Sequence, residues 1–262
     1  MADNKVMARW EAGSPAITAW MTTHSLLVAQ SLSSSGVDAV VVDMQHGSAT
    51  LDDMLALIAC IEVRGAEPFV RVPSIDAGLI GRLLDAGATG IIAPLVESVD
   101  QAQAFLEAAF YPPAGNRSYG PRIPSLRWGA SYASNANRQI IALAMVETAL
   151  GMSALNEILS VKGLSGIFVG PSDLSFSLGF PPPQSAQPEE VAVAIDRIRS
   201  SVANSNGKRS GIFCPNVAAA EAALASGFDL VTSPPDLALV EAGTRSAVDR
   251  LRNPPSAPRR LN

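Results

Sequence analysis

Residues 68–94 read PFVRVPSIDAGLIGRLLDAGATGIIAP. Two short runs rich in apolar and β-branched residues, Pro68 to Val72 and Gly90 to Pro94, flank a stretch from Ile75 to Asp85. In that stretch apolar residues recur at spacings of three and four, the period of an amphipathic helix. Gly87 stands where a helix must stop before a strand begins, because a left-handed residue ends the helix at little steric cost. A strand, a helix and a second strand within so few residues form a βαβ unit, whose strands are parallel.

The same unit repeats in both directions. Further strands are expected at Ala16 to Trp20, Ala39 to Asp43, Ile141 to Glu147, Gly166 to Gly170, Ser210 to Cys214 and Asp229 to Thr232, which brings the total to eight. Helices are expected at Leu51 to Val63, Ser98 to Ala109, Met152 to Ser160, Glu189 to Ser205, Val217 to Ala225 and Leu237 to Arg252. Eight alternating units in 262 residues match a single-domain (β/α)8 TIM barrel, which needs about 250. Residues 1–262 are therefore read as one domain. Two segments depart from the alternation. Tyr111 to Asn137 is rich in Pro, Gly, Ser, Arg and aromatic residues and is expected to be a functional loop over one barrel end. Residues 253–262, with three prolines and two arginines, are expected to be a flexible tail.

Composition narrows the function. A net charge of -5 with scattered Lys and Arg offers no basic stripe for nucleic acid. No apolar run is long enough to span a membrane, and the first thirteen residues lack the apolar core of a signal peptide. A cytoplasmic protein is expected. Cys60 and Cys214 are far apart and far from either histidine, so they read as buried thiols rather than a disulfide or zinc site.

In a barrel of this kind the active site is built at the C-terminal ends of the strands. Asp43 ends the second strand in VVVDMQHG with His46 three residues on; Arg71 ends the third, Glu147 the fifth, and Asp173 follows the sixth in FVGPSDLS. Singly, an Asp here caps a helix, an Arg pairs with a carboxylate, and a His is as often structural as catalytic. Together they form a set on one face. Glu147 and Asp173 make a hard oxygen-donor pair suited to Mg²⁺, Mn²⁺ or Co²⁺, with coordination positions left for the keto and carboxylate oxygens of a 2-keto acid. The GPSDLS turn, Gly170 with the N–H groups of Ser172 and Asp173, offers donors to that carboxylate. Arg71 is a cation for a developing enolate oxygen and His46 a proton carrier, with Asp43 beside them. Aldol chemistry through a Schiff base would need a lysine at a strand end, and Lys5, Lys162 and Lys208 fall elsewhere.

DMQHG, PFVRVP, LLDAGATGIIAPLVES, YPPAGNRSYGPR, MVET and GIFVGPSDLS, in this order from about Ala16 to Thr232, resemble the HpcH/HpaI aldolase family, close to its 4-hydroxy-2-oxoheptanedioate aldolase type and the keto-deoxy-sugar-acid relatives of that type. The resemblance implies a hexameric (β/α)8 barrel and a class II aldolase that cleaves a 4-hydroxy-2-keto acid to pyruvate, or a related 2-keto acid, and an aldehyde. It also implies His46 as base, Arg71 at the enolate, Glu147 and Asp173 at the metal, Ser172 and Asp173 at the substrate, and Asp85 raising the basicity of the histidine. Asp85 ends the helix before the fourth strand, at the far end of its own barrel, so that role requires a neighbouring subunit. Met145 stands where the heptanedioate enzymes have Gln, Gln45 replaces a frequent acidic residue, and Phe213 with Cys214 changes the bulk where substrate size is sensed. Alternative readings are a CoA-ester lyase of the citrate-lyase or malyl type on the same barrel, and a non-catalytic keto-acid-binding paralogue.

Overall fold

The computed structural model describes residues 4–181 and 188–253. The first half runs α1 (Lys5–Glu11), β1 (Ala16–Met21), α2 (Leu26–Ser33), β2 (Ala39–Asp43), α3 (Leu51–Val63), β3 (Glu67–Arg71), α4 (Ala77–Ala86), β4 (Gly90–Ala93) and α5 (Val99–Ala109). The second runs α6 (Arg122–Trp128), α7 (Tyr132–Gln139), β5 (Ile141–Val146), α8 (Ala149–Ser153), α9 (Leu155–Ser160), β6 (Gly166–Val169), α10 (Pro171–Ser177), α11 (Glu189–Ala203), β7 (Arg209–Ile212), α12 (Val217–Ser226), β8 (Leu230–Pro235) and α13 (Asp236–Arg252). Every strand pairs in parallel with its sequence neighbours, and β8 pairs with β1, closing an eight-stranded barrel. The expected (β/α)8 architecture is the observed one. Among the described residues no helix is long and apolar enough to cross a membrane.

Alternation along each strand divides the core in two. Trp20, Val41, Phe69, Ile92, Leu143, Met145, Phe168 and Leu230 fill the barrel axis. Ala19, Met21, Val40, Val42, Val70, Ile91, Ala144 and Val169 face the helices. Large and small side chains interlock inside: Phe69 lies where a side chain at Gly90 would be, 2.5 Å from an ideal Cβ, and Phe168 does the same at Gly211, at 2.6 Å. These glycines are packing choices.

The strand N-termini form the closed end. There α1 inserts Val6 and Trp10, one helical turn apart, against the axial core. Asn4 caps it through the N–H groups of Val6 and Met7, and Trp10 Nε1 donates to the Asp229 carbonyl at 2.8 Å. Residues 111–137 also lie at this end, since they join α5 to the start of β5. They are not an open loop over the mouth of the strand C-termini but fold partly as α6 and α7, Pro124 being tolerated in the first turn of α6 where its missing N–H costs nothing. Residues 254–262, most of the expected tail, lie outside the described residues; Asn253 closes α13.

Overfilling the axis gives a direct test of this packing. Gly90→Ala is expected to lower unfolding stability by about 1–3 kcal/mol, the usual cost of an extra methyl in a close-packed core, read from urea denaturation. A neutral result would mean that Phe69 does not occupy that space.

Candidate active site

Asp43 and Arg71 are register partners at the ends of β2 and β3. Arg71 donates Nε to Asp43 Oδ1 at 2.9 Å and Nη2 to Oδ2 at 2.5 Å, a bidentate pair buried to 7% and 1% exposure. The guanidinium lies 4.8 Å from the centroid of Trp20, whose Nε1 donates to Asp43 Oδ2 at 3.3 Å. Trp20 is itself stacked on Phe168 and meets Phe213 edge-on. Burial pushes the Asp43 carboxyl up, but the hydrogen bond and charge of Arg71, with the N–H groups of His46 and Gln45, outweigh it and hold the group below the usual carboxylate range.

Those N–H groups belong to the loop that carries the histidine. Gln45 and His46 both donate backbone N–H to Asp43 Oδ1, at 3.0 and 3.2 Å. The carboxylate that orients Arg71 therefore also fixes the turn beneath His46, whose side chain is exposed at the open end of the barrel. Gln45 Oε1 is buried beside it with no hydrogen-bond partner among the described residues.

Glu147 follows β5 and is 1% exposed. Its Oε1 accepts the N–H of Leu95 at 2.9 Å, and its Oε2 is buried with no partner among the described residues. Leu95 is the one non-glycine residue with positive φ among those described, at 53°. A left-handed leucine costs about 1–2 kcal/mol, and here it turns an N–H onto a buried carboxylate. Burial, with the nearby charge of Asp173 adding to it, raises the Glu147 carboxyl from 4.5 to about 7 against the opposing Leu95 hydrogen bond and the charge of Arg71. Asp173 and Ser172 lie exposed in the first turn of α10, behind the N-cap Gly170. Gly170 has to be glycine because a Cβ would strike the Glu147 carboxylate and come within 2.6 Å of Met145 Cε. A groove of about 520 Å³ runs alongside between α11 and α12, from Ser172, Phe213 and Cys214 at the strand C-termini to Ser226 and Phe228 at the other end of α12. Burial pushes the Cys214 thiol up to about 12, so it is no nucleophile at neutral pH.

Asp43, His46, Arg71, Glu147, Gly170, Ser172 and Asp173 thus all sit at the strand C-termini. Asp85 does not join them within one chain. It lies at the end of α4, where Arg117, buried and stacked over Tyr111, donates Nη2 to its Oδ1 at 2.5 Å. Sequence reasoning missed Trp20, Leu95 and Asp236, the last a buried carboxylate at the start of α13 that binds the loop after β1. Of these, only the Asp after the paired prolines of the last strand left a signal, as a charge at a strand end.

The residues fit a divalent cation. A buried carboxylate oxygen without a donor, on a group whose proton is held only to about pH 7, is a seat for a cation, and Asp173 is the second carboxylate near it. Among the described residues no three His, Cys, Asp or Glu side chains gather as a closed metal site. A cation held by these two would keep positions open.

Residues 17–241 match the family model described as HpcH/HpaI aldolase/citrate lyase. Over 245 residues, 94% of this chain and 97% of the relative, the sequence is 44% identical to a hydroxypyruvate/pyruvate aldolase of Rhizorhabdus wittichii. It is 32% identical to a 2-keto-3-deoxy-L-rhamnonate aldolase of Klebsiella pneumoniae, covering 84% of this chain and 82% of that one. A crystal structure of a HpcH/HpaI aldolase/citrate lyase family protein from Burkholderia cenocepacia superposes with a TM-score of 0.88 at 28% identity, over 95% of this chain and all of the other.

The raised Glu147 carboxyl has a signed consequence for the metal-free protein. The folded chain keeps the proton to about pH 7 while an unfolded carboxyl releases it near 4.5, so between those values the folded state binds more protons and this group's contribution to stability falls as pH rises. Thermal unfolding in EDTA is expected to show that fall, Glu147→Gln to flatten it, and saturating Mn²⁺ to reverse it. An identical pH profile for the wild-type and Gln proteins would show that the carboxyl is not proton-loaded.

Proposed function

The chain belongs to the HpcH/HpaI aldolase/citrate lyase family, and from that membership we propose that it is a class II aldolase, a carbon–carbon lyase that reversibly cleaves a 4-hydroxy-2-keto acid into pyruvate or hydroxypyruvate and an aldehyde. The observation that carries the reading is the orphaned, buried oxygen of Glu147 close to the Arg71 guanidinium at the open end of the barrel.

Glu147 and Asp173 hold the cation, Mg²⁺, Mn²⁺ or Co²⁺, which when bound supplies positive charge to the keto and carboxylate oxygens of the substrate. The remaining work falls to the chain. The N–H groups of Ser172 and Asp173 receive the substrate carboxylate, with Gly170 giving it room. Arg71 spends Nε and Nη2 on Asp43 and presents its remaining edge to the enolate oxygen. His46 takes the proton of the 4-hydroxyl as the C3–C4 bond breaks; the bonding electrons pass to the enolate, and protonation at C3 gives the 2-keto acid. Asp43 holds both partners in place, and Phe213 at the groove limits the aldehyde. A Schiff base is unsupported: Lys5 donates to the Gly65 carbonyl at the closed end, Lys208 bonds the Val161 and Leu164 carbonyls just before β7, and Lys162 lies between them.

We also propose a homohexamer. Arg117 engages only Oδ1 of Asp85, leaving Oδ2 to support His46 of a neighbouring subunit.

Pyruvate release from a panel of 4-hydroxy-2-keto acids is expected to vanish in EDTA and return with Mg²⁺, Mn²⁺ or Co²⁺, while borohydride with pyruvate traps nothing. A lysine adduct would overturn the mechanism. Arg71→Ala is expected to lower cleavage on the order of 10²-fold or more and His46→Ala on the order of 10² to 10⁴-fold, each read where circular dichroism shows the variant folded. Near-normal turnover in either would remove that residue from its role. Light scattering tests the assembly, which an active monomer would refute.

A further inference from the structure

Beyond the residues that meet the substrate, one buried carboxylate has no task in the chemistry and yet is tied to the loop that performs it. Asp236, 3% exposed, is the first residue of α13. Its Oδ1 accepts the N–H and the hydroxyl of Thr22 at 2.9 and 2.6 Å, and its Oδ2 accepts the N–H and hydroxyl of Thr23 at 3.0 and 2.8 Å. Both oxygens are thereby filled by the loop after β1.

That loop in turn supports the one carrying His46. The Thr22 carbonyl accepts the N–H of Ser48 at 2.8 Å and its hydroxyl at 3.3 Å, and His24 Nδ1 lies 2.9 Å from the same hydroxyl. Gly47 is wedged so tightly that a Cβ would fall 2.8 Å from the Thr22 carbonyl oxygen and closer still to that of Asp43. The segment of His46 to Ser48 is thus held from two sides, by Asp43 at the His46 N–H and by Thr22 at Ser48. Past Asp236 every side chain of α13 up to Asn253 is exposed or only half-buried. The helix therefore grips the barrel by its first residue, and that grip ends on the histidine loop.

We infer that Asp236 is a positioning residue for His46, acting through Thr22, Thr23 and Ser48 to hold the base at its working place. The kinetic part of this inference rests on the aldolase reading; the structural part does not. Two hydrogen bonds lead from Asp236 through Thr22 to Ser48, two residues past His46, and catalytic geometry is steep enough that a shift of about 1 Å costs on the order of 10²-fold. Replacing the carboxylate by an amide leaves the shape but supplies one acceptor oxygen where four donors of that loop and the N–H of Leu237 converge.

The experiment compares Asp236→Asn and the milder Thr23→Val with the wild type, alone and in a His46→Ala background. Expected for Asp236→Asn is a fall in kcat on the order of 10 to 10²-fold, with Mn²⁺ affinity unchanged by calorimetry, and no further fall once His46 is gone. Thr23→Val is expected to show the same pattern more weakly. A purely structural role would multiply independently with His46→Ala, and that outcome, or an unchanged kcat, overturns the proposal. A second readout needs no turnover. The chain has only two histidines, so ¹³C-labelled imidazole gives two signals, assigned by His24→Gln and His46→Ala. Asp236→Asn is expected to shift the His46 signal in the folded protein, and an unmoved signal counts against the proposal. If the wild-type protein cleaves no 2-keto acid, the aldolase reading falls while the imidazole signal still decides whether Asp236 places His46.

Discussion

A buried Arg and a buried Asp are each expensive to remove from water, and a pair of them survives in an interior only when every lone pair and donor is matched. Asp43 meets that requirement: two Arg hydrogen bonds, an indole N–H, and two backbone N–H groups all converge on its carboxylate, while Arg71 matches two of its donors there and keeps the others at the mouth of the barrel. The need to satisfy Asp43 dictates the turn after β2, since Gln45 and His46 must aim their N–H groups inward. It also dictates an aromatic wall, because the guanidinium is weakly hydrated and lies well against Trp20. The guanidinium, the histidine loop and the apolar lining are consequences of solving one desolvation problem.

Across the mouth, Glu147 is left incompletely solved. One oxygen receives a hydrogen bond at the expense of a left-handed Leu95, and the other receives none. Structures rarely leave such an atom bare without use for it. The contrast between a carboxylate over-supplied with donors and one under-supplied sets their proton affinities apart, low for Asp43 and near 7 for Glu147. One fold end thereby holds a permanent anion already neutralised and a second carboxylate ready to exchange its proton for a cation.

How much of this the sequence disclosed follows from what its signals are made of. Strands and helices announced themselves because burial imposes periods of about two and 3.6 on apolar residues, and Leu51–Val63 was read to the residue. Charges at strand ends stood out against apolar runs, so Asp43, Arg71 and Glu147 were legible. Backbone work was not: nothing in the letters of APLVES shows that Leu95 turns its N–H onto Glu147. The short helices α6 and α7 hid behind prolines and glycines, and α1 behind mixed charge, although Asn4 with Val6 and Trp10 a turn apart carried its signature. Asp85 illustrates another limit, since its pairing with Arg117 depends on a segment whose fold the composition concealed. Asp236 fell between the expected strand ending at Thr232 and the expected helix starting at Leu237, because a single letter does not reveal four donors from a loop more than two hundred residues away.

The plug at the closed end has a bearing on traffic. With Val6 and Trp10 seated beneath an axis filled by Phe69, Ile92 and Phe168, the barrel has a floor among the described residues, and its open end is at the strand C-termini. Whatever enters as one molecule and leaves as two therefore uses the same end of the barrel in both directions. A floor of tryptophan and valine thus directs traffic to one side of the molecule as well as packing the fold.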